Sequence, residues 1–532
     1  MQTRQPYARA VVMPLVLVLA LSIAYAPVFE AGFLNYDDPW LLLGNPFLSR
    51  NSPILPTLVA MATDLSRETR LALGAEYLPL RDVLVLLETR VFGMEPEPMH
   101  SLSFGLYVSA ILLFRGAMLR SLGATWAVEF AVLLFALHPV HVESVAWLAG
   151  QKDVLALLFL SAALYVHARG LPRARVLTLL LFALACLSKS MSVAAIGLLA
   201  AQDFVQSRRL DRGLYAGLTL LALLVVLVHL HVGSLVHMVA APAGGTRYTA
   251  LLTMGPVWLR YLALCLFPTH LSVVYDVPDV TSWNAAVSAG YALVLGALAL
   301  ACWQARAARP SPSMATKGVR AGRLGSYAFV WFFAPLLPVS QVLFPLENRM
   351  ADRYLWLSVW APCLLLAYGL RRLAERFVKN VPERASWLFG LPLVLVACML
   401  TFERSLVFGD SVMLFSDATL KTRRSGIGPY QLGKALEEQA RDEEAERAFE
   451  EVLRRTEQTP ALPIARQATN NYARLLARHG QLDAAERTLR SSLRHFPGDP
   501  KLTRNLAKVL RARGELVAAD ALESDLSLPA RR

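Results

Sequence analysis

Charged residues are scarce in this chain. Of its 532 residues, 17% are Asp, Glu, Lys or Arg and 55% are hydrophobic, whereas a soluble domain carries about 25% charged residues. This composition excludes an ordinary soluble enzyme. Long apolar runs recur from residue 11 to residue 403, and only the C-terminal part is polar. We therefore expect a membrane-embedded body followed by a soluble tail.

Paired cysteines and acidic residues are also few. The five cysteines all lie in apolar stretches without CxxC spacing, so neither a disulfide framework nor a zinc site is predicted. The net charge of +13 comes from basic residues that stand largely in short clusters between apolar segments. That pattern is typical of cytoplasmic loops rather than of nucleic-acid binding, so no nucleic-acid partner is expected. No small-residue cleavage site follows the first apolar run, which predicts an uncleaved helix.

Eleven segments are apolar and long enough to predict a polytopic, all-α membrane body. They are 11–29, 101–119, 124–138, 153–168, 174–188, 190–205, 213–232, 284–303, 325–344, 354–370 and 386–403. Every second connecting loop is rich in Arg and Lys, including 304–323, and such loops face the cytoplasm. The tail is therefore predicted on the opposite face, which is the periplasmic side of a bacterial inner membrane.

Residues 251–268 are also apolar enough to span the membrane. A crossing there would reverse the charge pattern of every later loop, including the basic loop 304–323. We therefore predict a re-entrant or interfacial helix for this segment.

The polar tail repeats with a period of 34 residues. Residues 482–486 recur as residues 516–520, and Gly480 recurs as Gly514. This is the period of tetratricopeptide repeats, which stack helix pairs and usually bind peptides on the concave face. An Ala-rich helical hairpin that only stiffens the tail is the alternative. The predicted domains are a membrane body at 1–410, a linker at 411–427 and, at 428–532, three repeats. The repeats are placed at roughly 428–456, 466–499 and 500–527.

Two polar clusters on the predicted outer side contain carboxylates. Asp37 and Asp38 follow the first apolar segment, where adjacent carboxylates cost solvation energy if they are partly buried. A turn or helix cap is the alternative, because Asp before Pro is common in turns. The second cluster runs from His138 through Glu143 to Lys152. Its spacing matches no standard zinc signature, and helix caps with aromatic anchoring at the membrane interface are the alternative interpretation.

Two further clusters contain cations. Lys189 lies between two apolar segments, and Arg349 and Arg353 lie at the start of a later one. A snorkelling lysine and solvated salt bridges are the alternatives, but Lys and Arg also bind phosphate. Carboxylates, cations and aromatic residues on one face are what a transferase that uses a lipid phosphate requires.

Several of these stretches together resemble a known family. They are Asn-Tyr-Asp-Asp at 35–38, Phe-Ala-Leu-His-Pro-Val-His-Val-Glu-Ser-Val-Ala-Trp at 135–147, Lys-Asp at 152–153 and Arg-Tyr at 353–354. They resemble the transmembrane and tetratricopeptide O-mannosyltransferases and their bacterial relatives, in which repeats also follow a membrane body. The resemblance implies a multi-spanning glycosyltransferase of the C type with a polyprenyl-phosphate sugar donor. In such enzymes the first outer loop carries an acidic pair, here Asp37 and Asp38.

We therefore expect transfer of a hexose, mannose-like, from a polyprenyl-phosphate sugar to a hydroxyl of a protein or glycan. Asp37 is the predicted general base, and Asp38 supports it or orients the acceptor. The cations predicted to stabilise the departing phosphate are Lys189, Arg349 and Arg353, with Lys152 as a weaker candidate. The residues predicted to line the outer cavity are His138, Glu143, Tyr36 and Arg81. No metal ion is required by this hypothesis, because the cations supply the electrostatic stabilisation.

Two alternative functions are compatible with parts of the sequence. A membrane-anchored tetratricopeptide scaffold without catalysis would need a single anchor helix, whereas the apolar body here continues to residue 403. A polymer ligase or polymerase that uses polyprenyl-diphosphate glycans would keep its functional groups in a large later outer loop. In this chain the acidic pair directly follows the first apolar segment.

Overall fold

The computed structural model describes residues 5–49, 51–170, 173–237, 240–307, 321–341, 345–377 and 386–527. These residues form helices, turns and loops, and none of them belongs to a β-strand. The all-α prediction is confirmed. Two compact units are present. The first comprises the described residues up to Leu271 and those of Val277–Gly409, and the second comprises Ser272–Asp276 and the described residues from Asp410 onward.

The first unit is a helical body. Its α-helices are α1 (Gln5–Ala24), α2 (Ile54–Thr63), α3 (Arg67–Ala72), α4 (Pro79–Phe92), α5 (Pro96–Leu122), α6 (Trp126–Ala136), α7 (Val142–Ala146), α8 (Gln151–Arg169), α9 (Ala174–Ser188), α10 (Ala195–Val205), α11 (Arg212–Leu235), α12 (Arg247–Leu266), α13 (Ala285–Ala307), α14 (Ala321–Phe333), α15 (Trp360–Phe377) and α16 (Ser386–Val407). Short 3-10 or π turns occupy Ala26–Glu30, Pro39–Leu43, Pro46–Leu48, Pro139–His141, Leu148–Gly150, Ser190–Ala194, Ala243–Gly245 and Asp352–Leu355.

Several of these helices are suited to a bilayer. Among the described residues, six stretches have the length and hydropathy to cross one: Pro96–Leu122, Leu148–Arg169, Arg212–Leu235, Arg247–Leu266, Ala285–Arg306 and Phe389–Val407. The bent pair formed by α6 and residues Pro139–Ala146 is a seventh candidate. The remaining predicted segments coincide with shorter apolar helices in α1, α9 and α10 and with α14 and α15. Residues 308–320 of the predicted basic loop and 342–344 of the predicted ninth segment lie outside the described residues. The count of eleven crossings stays a prediction.

Burial separates central from peripheral helices in the first unit. Every residue of α6 is buried, as expected for a helix that is apolar all round. By contrast, large apolar side chains point outward from α1, α11 and α13, among them Leu15, Leu220 and Leu295. Contiguous exposed apolar surface of this kind is unfavourable in water. These faces are therefore suited to contact with hydrocarbon.

A break after α6 creates the irregular segment that carries the site. Pro139 cannot continue the helix, and the chain bends by 41° between α6 and Pro139–Ala146. His138 caps the next turn, because its Nδ1 accepts the main-chain N–H of Val140 at 3.3 Å. The chain then passes through short turns before α8 begins at Gln151. This path brings Glu143 and the start of α8 to the same end of the bundle.

The helix α12 coincides with the segment predicted to be re-entrant or interfacial. Thr253 near its start accepts the main-chain N–H of Val280 at 3.0 Å, and Gly255 packs directly against Val287 at the start of α13. Its other end reaches His138, whose Nε2 lies 3.2 Å from the Cys265 carbonyl oxygen. Both ends of α12 thus contact segments that the topology prediction places on the outer side. The length and composition of α12 would suit a span, so its interfacial placement stays a prediction.

The second unit is built from paired helices. They are α17 (Ser411–Lys421), α18 (Ile427–Glu438), α19 (Asp442–Arg455), α20 (Pro463–Arg478), α21 (Leu482–His495), α22 (Pro500–Ala512) and α23 (Leu516–Ser527). The last six form three pairs that coincide with the predicted repeats. Gly433 lets α18 approach the buried Phe449 ring of α19 so closely that an added Cβ would lie 2.7 Å from it. The buried Ala485 and Leu489 of α21 lie in an apolar core with residues of α20, α22 and α23.

Two segments of the second unit lie outside the predicted repeats. Residues 411–421 of the predicted linker form α17, which packs against the first repeat. The buried Leu414, Phe415 and Ala418 explain this packing, because they form an apolar stripe at helical spacing. The segment from Ser272 to Asp276 also belongs to this unit, since Asp276 accepts main-chain N–H bonds from residues 423–425 at 2.6–2.9 Å.

The interfacial placement of α12 can be tested by topology reporters. Reporters inserted after Thr246 and after Asp279 should both read on the outer side, because a helix that does not cross leaves both of its flanks on one face. Reporters after Gly170 and after Arg372 should read cytoplasmic and serve as controls. Opposite readings at Thr246 and Asp279 would show that α12 crosses the membrane.

Candidate active site

Two buried carboxylates, one in α7 and one at the start of α8, hold cations from distant parts of the chain. Glu143 Oε2 accepts the main-chain N–H of Arg353 at 3.0 Å, and Glu143 Oε1 pairs with the Arg353 guanidinium. Asp153 pairs with the Lys189 ammonium and accepts the Ser144 hydroxyl at 3.0 Å. Both carboxylates are 1% exposed. Because a buried charge is tolerated only with a partner, these pairs fix the turns around residues 189 and 353 against the start of α8.

A third ion pair is more accessible. Lys152 pairs with Glu76 of the segment between α1 and α5, here called the first outer loop after its predicted placement. The two side chains are 17% and 30% exposed. The preceding residue, Gln151, donates from Nε2 to Glu88 Oε1 of α4 at 2.6 Å. Together these contacts attach the first outer loop to the N-terminal turn of α8. Positive charges dominate the surroundings of Glu76, so that Lys152 and Arg81 outweigh the effect of burial and hold its pKa at about 2.

The two neighbouring aspartates have different environments. Asp38 is 0% exposed, and its two carboxylate oxygens accept the main-chain N–H groups of Leu34 at 2.8 Å and of Ala149 at 3.0 Å. It therefore joins the first outer loop to the turn at Leu148–Gly150. Burial raises the pKa of Asp38 to about 7, although the two hydrogen bonds oppose that shift.

Asp37 presents the less engaged carboxylate of the pair. Its side chain is half-buried, and the hydrogen bond that it accepts from Trp40 Nε1 is long, at 3.4 Å. Burial raises the pKa of Asp37 above its ordinary value, while the charges of Lys152 and Arg353 lower it. A carboxylate beside two cations thus remains available as a proton acceptor.

An aromatic stack positions Arg353 next to Asp37. The rings of Tyr36 and Trp147 lie 5.1 Å apart, and the Arg353 guanidinium lies 5.7 Å from the centre of the Trp147 ring. The Tyr36 hydroxyl is hydrogen-bonded to Arg353. Trp147 is buried, so the sequence interpretation of its ring as an anchor at the membrane interface does not describe its contacts. The arrangement orients the guanidinium by stacking as well as by charge.

Three of the predicted site residues are occupied elsewhere. His138 uses both ring nitrogens on main-chain groups, those of Val140 and Cys265. Arg81 is buried, pairs with Asp82 at 2.6 Å and lines a mostly apolar cavity of about 20 Å³, which is room for about one water. Arg349 pairs with Asp279 at 2.8 Å and donates to the Val277 carbonyl at 2.7 Å. The residues that the structure brings together are Tyr36, Asp37, Glu143, Lys152 and Arg353.

Sequence reasoning missed Glu76 and Trp356. Glu76 is an isolated acid in the first outer loop, and its pairing with Lys152 links positions 76 residues apart. The Lys189 ammonium lies 5.9 Å from the centre of the Trp356 ring, which covers the buried ion pair with Asp153. Neither residue belongs to a local motif. Within the described part of the chain, no three His, Cys, Asp or Glu side chains are arranged to hold a metal ion.

Comparison with known proteins bears first on the second unit. The tetratricopeptide repeat family matches residues 430–500 and 473–524. The C-terminal helix pairs are tetratricopeptide repeats. The family match confirms the tetratricopeptide interpretation of the 34-residue period. It excludes the alternative, an Ala-rich helical hairpin.

The chain as a whole is similar to animal protein O-mannosyl-transferases. It is 23% identical over 451 residues to one from Caenorhabditis elegans, covering 81% of this chain and 61% of that protein. It is 24% identical over 488 residues to the mouse protein O-mannosyl-transferase TMTC3, covering 81% of this chain and 50% of that protein. The chain therefore spans about half to three fifths of the length of these relatives.

One solved structure is similar at a lower level. It is the oligosaccharyltransferase of Archaeoglobus fulgidus, crystallised with a tethered acceptor peptide, with 13% identity and a TM-score of 0.39. The similarity covers 84% of this chain and 60% of that one. The fold assigned to this chain rests on its own contacts rather than on this similarity.

The different environments of the two aspartates predict different effects on stability. Asp38→Asn should lower the free energy of unfolding by about 1–3 kcal/mol, because an amide has one acceptor oxygen and leaves one of the two buried N–H groups without a partner. Asp37→Asn should leave it nearly unchanged. Thermal unfolding of both variants in detergent measures the difference. Equal stability of the two variants would contradict the structural role of Asp38.

Proposed function

We propose that this chain is a membrane glycosyltransferase that moves a hexose, mannose-like, from a polyprenyl-phosphate sugar to a hydroxyl of a protein or glycan. The reaction takes place on the outer side of the membrane, which in a bacterium is the periplasmic side of the inner membrane. The observation that carries the proposal is the half-buried Asp37 carboxylate flanked by Lys152 and Arg353. The similarity of this chain to protein O-mannosyl-transferases supports the proposed reaction class.

The arrangement provides the two groups that this transfer needs. The acceptor oxygen forms a bond to the anomeric carbon as the bond from that carbon to the phosphate oxygen breaks. Asp37 accepts the hydroxyl proton, and the bonding electrons leave with the phosphate, where negative charge develops. Lys152 and Arg353 lie beside Asp37 and stabilise that charge.

The four predicted phosphate-binding cations are not equivalent. Each of them already pairs with a carboxylate: Lys152 with Glu76, Lys189 with Asp153, Arg349 with Asp279 and Arg353 with Glu143. Lys189 is the most deeply buried, so we assign it a structural role. Arg353 uses Nη1 on Glu143 and has further donors in its fork. The ion pair of Lys152 with Glu76 is partly exposed. A phosphate can therefore approach the Lys152 ammonium group without leaving a buried charge unpaired.

A scaffold without catalysis accounts less well for this cluster. Buried ion pairs often contribute little net stability, because desolvation offsets their attraction. A membrane anchor would gain as much from apolar side chains at the positions of Glu143, Asp153 and Lys189. A carboxylate with a raised pKa beside cations, as at Asp37, is instead typical of functional sites. In the proposed enzyme the tetratricopeptide repeats bind the acceptor polypeptide.

Replacement of the proposed base tests the mechanism. Asp37→Asn should lower the transfer rate by about 100- to 10,000-fold while sparing donor binding, because the amide keeps the shape but cannot accept the proton. Glu68→Gln changes an exposed acid of the same loop and should leave the rate unchanged. The assay follows a labelled hexose from polyprenyl-phosphate mannose to periplasmic proteins of a strain that lacks this chain. An Asp37→Asn variant with wild-type turnover would remove Asp37 from the mechanism.

Lys152 should influence both donor binding and the pH profile. Lys152→Gln should weaken donor binding by about tenfold to a hundredfold, since it removes a charge-assisted hydrogen bond worth about 1.5–3 kcal/mol. Loss of this cation also raises the pKa of Asp37, so the pH below which the rate falls should move upward. Arg349→Gln, which removes a cation that pairs with Asp279, should change neither property. An unshifted pH profile in Lys152→Gln would show that Lys152 does not influence the pKa of the catalytic base.

A further inference from the structure

The first helices of the last two repeats carry charge of one sign. The helices α20 and α22 contain basic side chains and no acidic ones, whereas the second helix of the first repeat, α19, is mainly acidic. The acidic residues of α19 are Asp442, Glu443, Glu444, Glu446, Glu450 and Glu451. The basic helices α20 and α22 therefore contrast with the mainly acidic α19.

A polar cavity lies along these first helices. It has a volume of about 190 Å³, and its lining includes Tyr430 of α18, Asn470 and Asn471 of α20, and Lys501 at the start of α22. The lining comes from one helix of each repeat, so the cavity follows the direction in which the repeats stack. A groove of this kind accommodates an extended chain better than a compact ligand.

The repeat register places amide side chains in a row along the same helices. Ala445, Ala485 and Ala519 occupy equivalent positions, and fourteen residues before each of them stand Gln431, Asn471 and Asn505. All three amides are half-buried. Asn505 donates from Nδ2 to Asn470 Oδ1 at 2.6 Å, and Gln431 Oε1 accepts a long hydrogen bond from Lys434 Nζ at 3.4 Å. Because a side-chain amide has two N–H donors and an oxygen with two acceptor sites, each amide keeps a donor and an acceptor for the main chain of an extended polypeptide. The amide row therefore provides affinity without side-chain recognition.

The charges beside this row determine which sequences are preferred. Lys501, Arg504 and Lys508, here called the α22 stripe, are spaced by three and four residues, so they lie on one face of the helix, and all three are exposed. Within the described part of the chain, no carboxylate lies within ion-pair distance of Lys501 or Arg504. Asp499, the acid nearest in sequence, already pairs with Arg466 and caps α22. The first two cations of the α22 stripe thus remain uncompensated.

We propose that the amide row and the α22 stripe bind an extended acidic segment of the acceptor polypeptide. The amides of Gln431, Asn471 and Asn505 hold its main chain, and Lys501, Arg504 and Lys508 pair with its carboxylates. This proposal rests on the proposed function only for the identity of the polypeptide as acceptor. Anionic lipid head groups would be attracted to the same cations, but a row of half-buried amides has no counterpart in a membrane surface.

Binding is measured with the full chain in detergent micelles and a fluorescent peptide of alternating Ser and Glu. The wild-type chain should bind this peptide and discriminate against the matched peptide of Ser and Lys. The double variant Lys501→Glu/Arg504→Glu should bind this peptide at least about tenfold more weakly. Added salt should likewise weaken binding of the peptide by the wild-type chain. The matched control, Arg487→Glu/Arg494→Glu, makes the same charge change on exposed residues of α21 and should bind normally.

Further variants distinguish the amide row from the α22 stripe. Asn471→Ala/Asn505→Ala should weaken binding of the acidic peptide without changing its salt dependence, and Asp37→Asn should bind it as well as the wild-type chain does. An equal loss in the α22 and α21 charge variants would overturn the proposal. The proposal would also be overturned if the chain bound phosphatidylglycerol vesicles through the α22 stripe and did not bind the acidic peptide. Peptide binding by a chain that transfers no hexose would instead contradict the proposed function alone.

Discussion

Paired buried charges organise the end of the first unit that carries the candidate site. The chain reaches this end along several separate paths, from the first loop and from the turns near residues 150, 189 and 353. Glu143 holds Arg353, Asp153 holds Lys189, and Glu76 holds Lys152. Breaking any buried pair leaves a charge without compensation, at a cost of about 3–5 kcal/mol. These pairs therefore select one arrangement of loops that apolar packing alone would leave less well specified.

The sequence identified most participants but few of their partners. Tyr36, Asp37, Glu143, Lys152 and Arg353 were all predicted, because polar residues at the ends of apolar segments need an explanation. Their pairing could not be predicted, since it joins positions separated by 76 to 210 residues and depends on how the helices pack. His138 and Arg81 illustrate the difference. Both have the chemistry of a site residue, but His138 bonds to main-chain groups of Val140 and Cys265, and Arg81 pairs with Asp82.

The second unit was more accessible to prediction because its contacts are local. A repeat packs only against its neighbours, so the 34-residue period already specifies which helices meet. The helix α17 escaped notice because it lies outside that period and was assigned to a linker. The interfacial placement of α12 was inferred from the charges of later loops and stays a prediction. In both units, patterns that extend over many residues were informative where single residues were not.

The charge balance around Asp37 connects the architecture to the proposed reaction. A polyprenyl-phosphate sugar carries one negative charge, and after transfer the phosphate carries a second one. If Asp37 accepts the hydroxyl proton, it loses one negative charge as the phosphate gains one, so the total charge of the cluster does not change. The negative charge only moves from the carboxylate to the phosphate, past Lys152 and Arg353. Because those two cations are already held by Glu76 and Glu143, little reorganisation is required during the step, and such preorganisation is what makes electrostatic catalysis effective in a site of low dielectric constant.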